Sequence, residues 1–266
     1  MAGQRKRRWP FVVSAGRKAH AMTDTLQTLV GQLQHPDAAT RSRAIVALSK
    51  LDNAQVLPAL LDVLTQERDA LVLEDAAWAL TRLGDAAVGP VVALLQHSDA
   101  HVRYQAAHTL GKLGRPQAVD ALMMALADAD MTVTQKAAVA LGQIGDPRGA
   151  AALAERLDHA ADEVVNTVSI TLEAFGEVAI EPLTVALQHE QPDVRERAAD
   201  ILGVIGSDSA IPALMTATQD SVWQVRFATV NALSAIGSRA AKAALASIPP
   251  DEDKRVNGLL ARVMMR

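Results

Sequence analysis

The chain has 266 residues, a net charge of −4 and no cysteine, which excludes disulfides, thiolate metal sites and a cysteine nucleophile and fits a reducing cytoplasm, the expected location. Half of the residues are hydrophobic but only seven are aromatic, so the interior calls for closely spaced helices with small side chains. No apolar run approaches the roughly 20 residues of a membrane helix, and residues 22–266 alone carry −10, which disfavours nucleic acid as a partner.

Residues 1–21 hold six Lys or Arg and no acid, unlike everything after them. A secretory signal fits poorly, because the apolar stretch from Trp9 to Gly16 is short, contains Pro10 and is followed by Arg17-Lys18. A basic arm for nucleic acid or anionic lipid is a second reading. A disordered tail, or an over-extended start with Met22 as initiator, is the reading carried forward. Residues 22–34 are expected to form an N-terminal capping helix, with Leu26, Leu29, Val30 and Leu33 on one face.

Residues 35–248 are a tandem array. Ala-Leu-Gly-x-Ile/Leu-Gly, or a worn copy of it, recurs at the anchor residues Leu48, Leu80, Leu110, Leu141, Leu172, Leu202 and Leu233, at intervals of 32, 30, 31, 31, 30 and 31 residues. A period of this length means one supersecondary unit per repeat, buried only against its neighbours. In the third repeat Val102, Ala106, Leu110 and Leu113 follow helical spacing, Gly114 stops the helix, and a second periodic run starts near Val119. Each repeat therefore predicts a helical hairpin.

Asp37, Asp69, Asp99 and Asp130 stand eleven residues before their anchors, placed to cap the first helix. Asp85, Asp146 and Asp208 are expected to do the same for the second helix. Pro58, Pro90, Pro182 and Pro212, ten residues after an anchor, are expected to mark its first turn. The pairs Ala76-Ala77, Ala106-Ala107, Ala137-Ala138 and Ala198-Ala199 let helices approach closely. Residues 249–266 begin with Pro249-Pro250 and continue with Val256, Leu259, Leu260 and Val263 on one face, which predicts a C-terminal capping helix. The expected fold is all-α, an α-solenoid of about seven hairpins with helical caps at both ends.

The repeat pattern Asp-x-x-Val-Arg-x-x-Ala-Ala-x-x-Leu-Gly-x-Leu-Gly closely resembles the HEAT-like repeats of the phycobilisome lyase type, over about residues 35–248. Arg41, Arg103, Arg195 and Arg226 occupy the family's Arg position, seven residues before the anchor, whereas Leu73, Thr134 and Val165 replace it. The resemblance implies that these arginines, with the loop Asp, form a structural ladder, which the three replacements interrupt. It implies little about activity, since such repeats occur in bilin lyase subunits, a deoxyhypusine hydroxylase, scaffolds and adaptors. The hydroxylase type carries His-Glu pairs six and five residues before the anchor, where this chain has no histidine. That iron chemistry is disfavoured.

His35, His97, His159 and His189 form a column thirteen residues before an anchor. Repeats about 10 Å apart are too widely spaced for one metal at about 2 Å from each nitrogen, so these histidines are expected to cap helix C-termini rather than bind metal. No serine elbow, phosphate loop or isolated pair of acids stands out from the repeats, and no cofactor is expected. The candidate partner-binding residues are Asp62, Met124, Glu155 and Thr216, fourteen residues after an anchor, with Met123 and Met215 beside two of them. Trp78 and Tyr104 on first helices are further candidates. The expected function is a non-catalytic, monomeric scaffold or adaptor for a protein or peptide, with a bilin lyase-type subunit as the alternative.

Overall fold

The computed structural model describes residues 24–51 and 55–265, and every regular element among them is helical. Residues 1–21, read above as a basic tail, lie outside the described residues. The chain forms two compact units, residues 1–91 and 92–266. The fold class is the expected all-α array of solenoid-type hairpins.

The first unit contains α1 (24–32), α2 (Ala38–Leu48), α3 (Val56–Gln66) and α4 (Ala70–Arg82), and α5 (Asp85–Leu94) starts within it. Leu26 in α1 and Leu33 just after it are buried, but Val30 is exposed, so the apolar face is narrower than its spacing suggests. The second unit contains five first helices, α6 (Ala100–Leu113), α8 (Met131–Ile144), α10 (Asp162–Phe175), α12 (Pro192–Ile205) and α14 (Trp223–Ile236). They alternate with second helices α7 (Val119–Ala125), α9 (Pro147–Ala154), α11 (Ile180–Ala186), α13 (Ile211–Ala217) and α15 (Arg239–Ser247), and α16 (Lys254–Met264) closes the order.

All seven anchor leucines are fully buried, as are the four alanine pairs. The glycine that follows three anchors is a contact point between adjacent first helices. A Cβ on Gly203 would stand 2.7 Å from the Ala232 Cα, and one on Gly142 would stand 2.5 Å from the Thr171 Cγ2. At Gly203 the obstacle is backbone, so only glycine fits that approach. Gly114, at φ 62°, ends α6 in the left-handed region, where a Cβ is strained.

Asp37, Asp69, Asp99 and Asp130 each accept backbone N–H groups of a first turn, which satisfies donors that the helix itself cannot. Asp146 caps α9 in the same way. Asp85 is instead the first residue of α5, and Ser207 rather than Asp208 caps the turn before α13. Pro58, Pro182 and Pro212 fall in first turns, but Pro90 lies inside α5. Gly84 passes directly into α5, whereas a separate 3-10 turn precedes α7, α11 and α13. The α-helical segment of the second repeat therefore starts earlier, and its proline comes to lie in the interior.

The last helix, α16, keeps the repeat register. Its N-cap Asp253 and buried Val256 repeat the register of Asp99 and Val102 in α6, and Met264 stands 31 residues after Leu233. α16 thus has the pattern of a first helix of a further repeat, with Met264 59% exposed where the seven earlier anchors are covered.

Candidate functional site

The surface of a repeat array is set by how the repeats lock together, and the arginine column does this locking. The Nε of Arg103, Arg195 and Arg226 lies 2.7 Å from a carboxylate oxygen of Asp128, Asp220 and Asp251, each one repeat further on, and Arg41 makes the same pair with Glu67 at 2.6 Å. A second guanidinium nitrogen donates to the other oxygen in all four pairs. The third donates to the carbonyl of the loop residue of its own repeat, His35, His97, His189 or Asp220. Such bidentate, planar recognition suits arginine and not lysine. The bond from Arg103, with burial opposing it, holds the Asp128 carboxyl below the usual carboxylate range. Burial pushes the Asp220 carboxyl up, and the bonds from Arg195 and the Val222 N–H outweigh it, so its pKa is also lowered.

The histidine column is the other half of this device. His35, His97, His159 and His189 stand at the ends of second helices as expected, with backbone N–H groups that donate to carbonyls there, but their ring Nδ1 atoms bond forward into the next loop. Their Nδ1 atoms accept the backbone N–H two residues on, at 3.0 to 3.2 Å. Glu67, Asp128, Asp220 and Asp251 accept the equivalent N–H with a carboxylate oxygen. The loop position is an acid one repeat after each arginine of the column, and a histidine one repeat after Leu73, Thr134 and Val165. Either residue closes the turn, but only the acid also neutralises a guanidinium. Where the clamp is missing in the middle of the second unit, Arg197 bridges instead, from Nη1 to the Leu157 carbonyl at 2.7 Å. Among the described residues no group of three His, Asp or Glu could hold a metal ion.

The predicted surface residues divide by exposure. Asp62, Met124, Glu155 and Thr216 are exposed, whereas Met123 and Met215 are half-buried beside the core. Trp78 is 44% exposed, with the Arg82 guanidinium 5.5 Å from its ring centre. Tyr104 is half-buried, and the Lys136 Nζ stands 4.8 Å from its ring centre. Both aromatic rings already face a cation of their own chain. Tyr104 and Trp78 belong to first helices, whereas the other six candidates belong to second helices or the 3-10 turn after α9.

A fifth member of the second-helix column escaped the sequence reading. Val185 is 70% exposed, as is Met124, and takes the place in α11 that Met124, Glu155 and Thr216 take in their repeats. Gly176 runs directly into a 3-10 turn, without the capping residue that Asp146 and Ser207 supply elsewhere. The hairpin is one residue shorter, and fourteen after the anchor falls on buried Ala186. The signal was legible in the second helices, whose buried Leu122, Leu153, Leu183 and Leu214 are spaced 31, 30 and 31.

Around Val185 the surface is hollowed. A depression of about 200 Å³ lies between α9 and α11, with Ala151, Ala154, Pro182 and Val185 among its apolar walls and Glu155 and His189 beside them. A second one adjoins Thr184, Gln188, Pro212 and Thr216, between α11 and α13. Exposed apolar side chains next to hollows are features of binding surfaces.

Comparison with known proteins agrees with this repeat geometry. The HEAT repeats family matches residues 11–81, 69–139, 90–172 and 180–264. Among solved structures, Kap121p is similar at 15% identity and a TM-score of 0.56 over 92% of this chain and 33% of its own, so this chain spans about a third of it. Human deoxyhypusine hydroxylase in complex with glycerol is 19% identical, with a TM-score of 0.41 over 93% and 97% of the two chains. The complex of CpcE and CpcF of phycocyanin lyase from Nostoc sp. PCC7120 gives 22% and 0.41 over 90% and 93%. A search of curated proteins finds no match. No described helix is long and apolar enough to cross a membrane. With repeat matches spread over nearly its whole length, the chain belongs to the HEAT repeat family.

Proposed function

We propose that this protein is a non-catalytic scaffold or adaptor that binds a protein or peptide partner on the outward face of its second helices. The observation that carries the reading is the pair of apolar side chains Met124 and Val185, each 70% exposed in the same second-helix column, with Val185 lining the hollow between α9 and α11. Covering both side chains and excluding water from the hollow would supply the apolar contribution to binding. The Arg103–Asp128 and Arg195–Asp220 clamps flank this face and the bond from Arg197 to the Leu157 carbonyl bridges the stretch between them, and a backbone held before association lowers its ordering cost. Affinity capture from native lysate with the full chain and with Met124→Glu tests it. A protein retained by the first bait and lost from the second, with both equally folded, supports the reading; capture indifferent to Met124 removes it.

Within the HEAT family, the repeat pattern resembles that of the phycobilisome lyase type, which makes a bilin the second ligand class. Added bilin should then shift its absorption spectrum on mixing with the protein, and an unchanged spectrum eliminates this alternative.

A further inference from the structure

We infer that the face between Met124 and Val185 receives an extended polypeptide segment with a Lys or Arg at its centre and an apolar residue three positions to either side. This rests on the partner-binding reading above and adds the chemistry of the partner.

The two apolar side chains lie two repeats apart, and the residue between them in the column is Glu155. Glu155 is exposed and makes no ion pair among the described residues. Stacked helices repeat at about 10 Å, and a chain in the extended polyproline II conformation rises about 3.1 Å per residue with three residues per turn, so each repeat spans about three partner residues and side chains three apart face the same way. An apolar residue over Met124 is then followed after three residues by a side chain over Glu155, and after three more by one over Val185.

Charge decides the middle side chain. The second helices and their adjoining turns, 147–158 and 177–190, carry Glu155, Asp158, Glu177, Glu181 and Glu190 against Arg156 and Arg148, and Arg148 is already paired with Asp120 and Asp146. A cation above Glu155 is attracted, whereas a carboxylate or phosphate is repelled. Size decides the conformation. A helix is 10 to 12 Å across with its side chains, and a hollow of about 200 Å³ holds one side chain, not a helix.

The test is selection of a displayed library of random 11-residue peptides on the full chain. Binding of the enriched peptides is then measured to the wild type, Glu155→Lys and Val185→Glu, all three checked for equal melting. The expected peptides carry Lys or Arg flanked by apolar residues at three positions on either side, and bind each variant at least tenfold more weakly. Replacing the central cation by Glu should restore binding to Glu155→Lys. No enrichment, an acidic or uncharged consensus, apolar residues at the seven-residue spacing of a helix, or binding indifferent to both variants overturns the inference. If that happens while lysate capture still depends on Met124, the partner-binding reading stands and this one falls; loss of both results removes both.

Discussion

Exchanging one clamp for its histidine counterpart tests how the repeats are locked. Arg195→Val removes two bonds to Asp220, at 2.7 and 2.8 Å, and two to the carbonyls of His189 and Glu190, at 2.7 and 3.1 Å. The two side chains are only 12% and 10% exposed, so Asp220 is left largely covered, with the Val222 N–H as its remaining short bond. Breaking a fully buried pair costs about 3–5 kcal/mol and an exposed one about 1 or less. For this cover we expect about 3 kcal/mol. Asp220→His keeps an acceptor for Val222 but strands the guanidinium, at a cost of about 2 kcal/mol. Together the two changes reproduce the Val165 and His189 arrangement one repeat earlier, with no unpaired charge. The double variant should therefore lose only about 1–2 kcal/mol, a coupling of about 3 kcal/mol. Urea unfolding of the four proteins measures it, with equal m-values showing that the cooperative unit is unchanged. A double variant that loses the sum of the single costs refutes the reasoning.

Other perturbations follow from the same contacts. Gly203→Ala puts a methyl 2.7 Å from the Ala232 Cα; because backbone cannot swing aside, a loss of about 1–3 kcal/mol is expected in thermal unfolding. Ala107→Leu, at a fully buried site, should overpack the stack and lower the melting temperature strongly, and an unchanged value contradicts the register. The carboxyls of Asp128, Asp220 and Asp251 are all lowered in the folded state, so the unfolded chain binds protons first as pH falls. Their contribution is fully present above the unfolded value of about 3.9 and is lost as pH falls below it towards the folded values. The melting temperature should thus be insensitive to these groups near neutrality and fall below about pH 4, and less steeply when Asp220 is replaced by His in the double variant.

The sequence makes the hairpins legible because each repeat needs the same things: a buried leucine anchor, a glycine to stop the helix and an N-cap where a residue can supply one. Leu110, Gly114 and Asp99 show all three. Two kinds of information are hidden. The pairing of Arg195 with Asp220 crosses from one repeat to the next, so it emerges only when the arginine column is compared with the loop column one period later. The histidine column by itself therefore points to the right loops but not to the hydrogen bonds its rings make. The exposure of Val185 depends on a loop shortened by one residue, and a fixed offset from Leu172 lands on Ala186 instead. A one-residue slip in a helix turns the side chain by about 100°, from the surface into the core.

The most direct test of the central claim is a hydrogen-exchange footprint of the full chain with and without its captured partner. The second-helix face as the binding surface predicts slowed exchange over residues 119–127, 151–158 and 181–190. Protection confined to the first helices, over residues 104–112, 170–175 and 200–205, would contradict it.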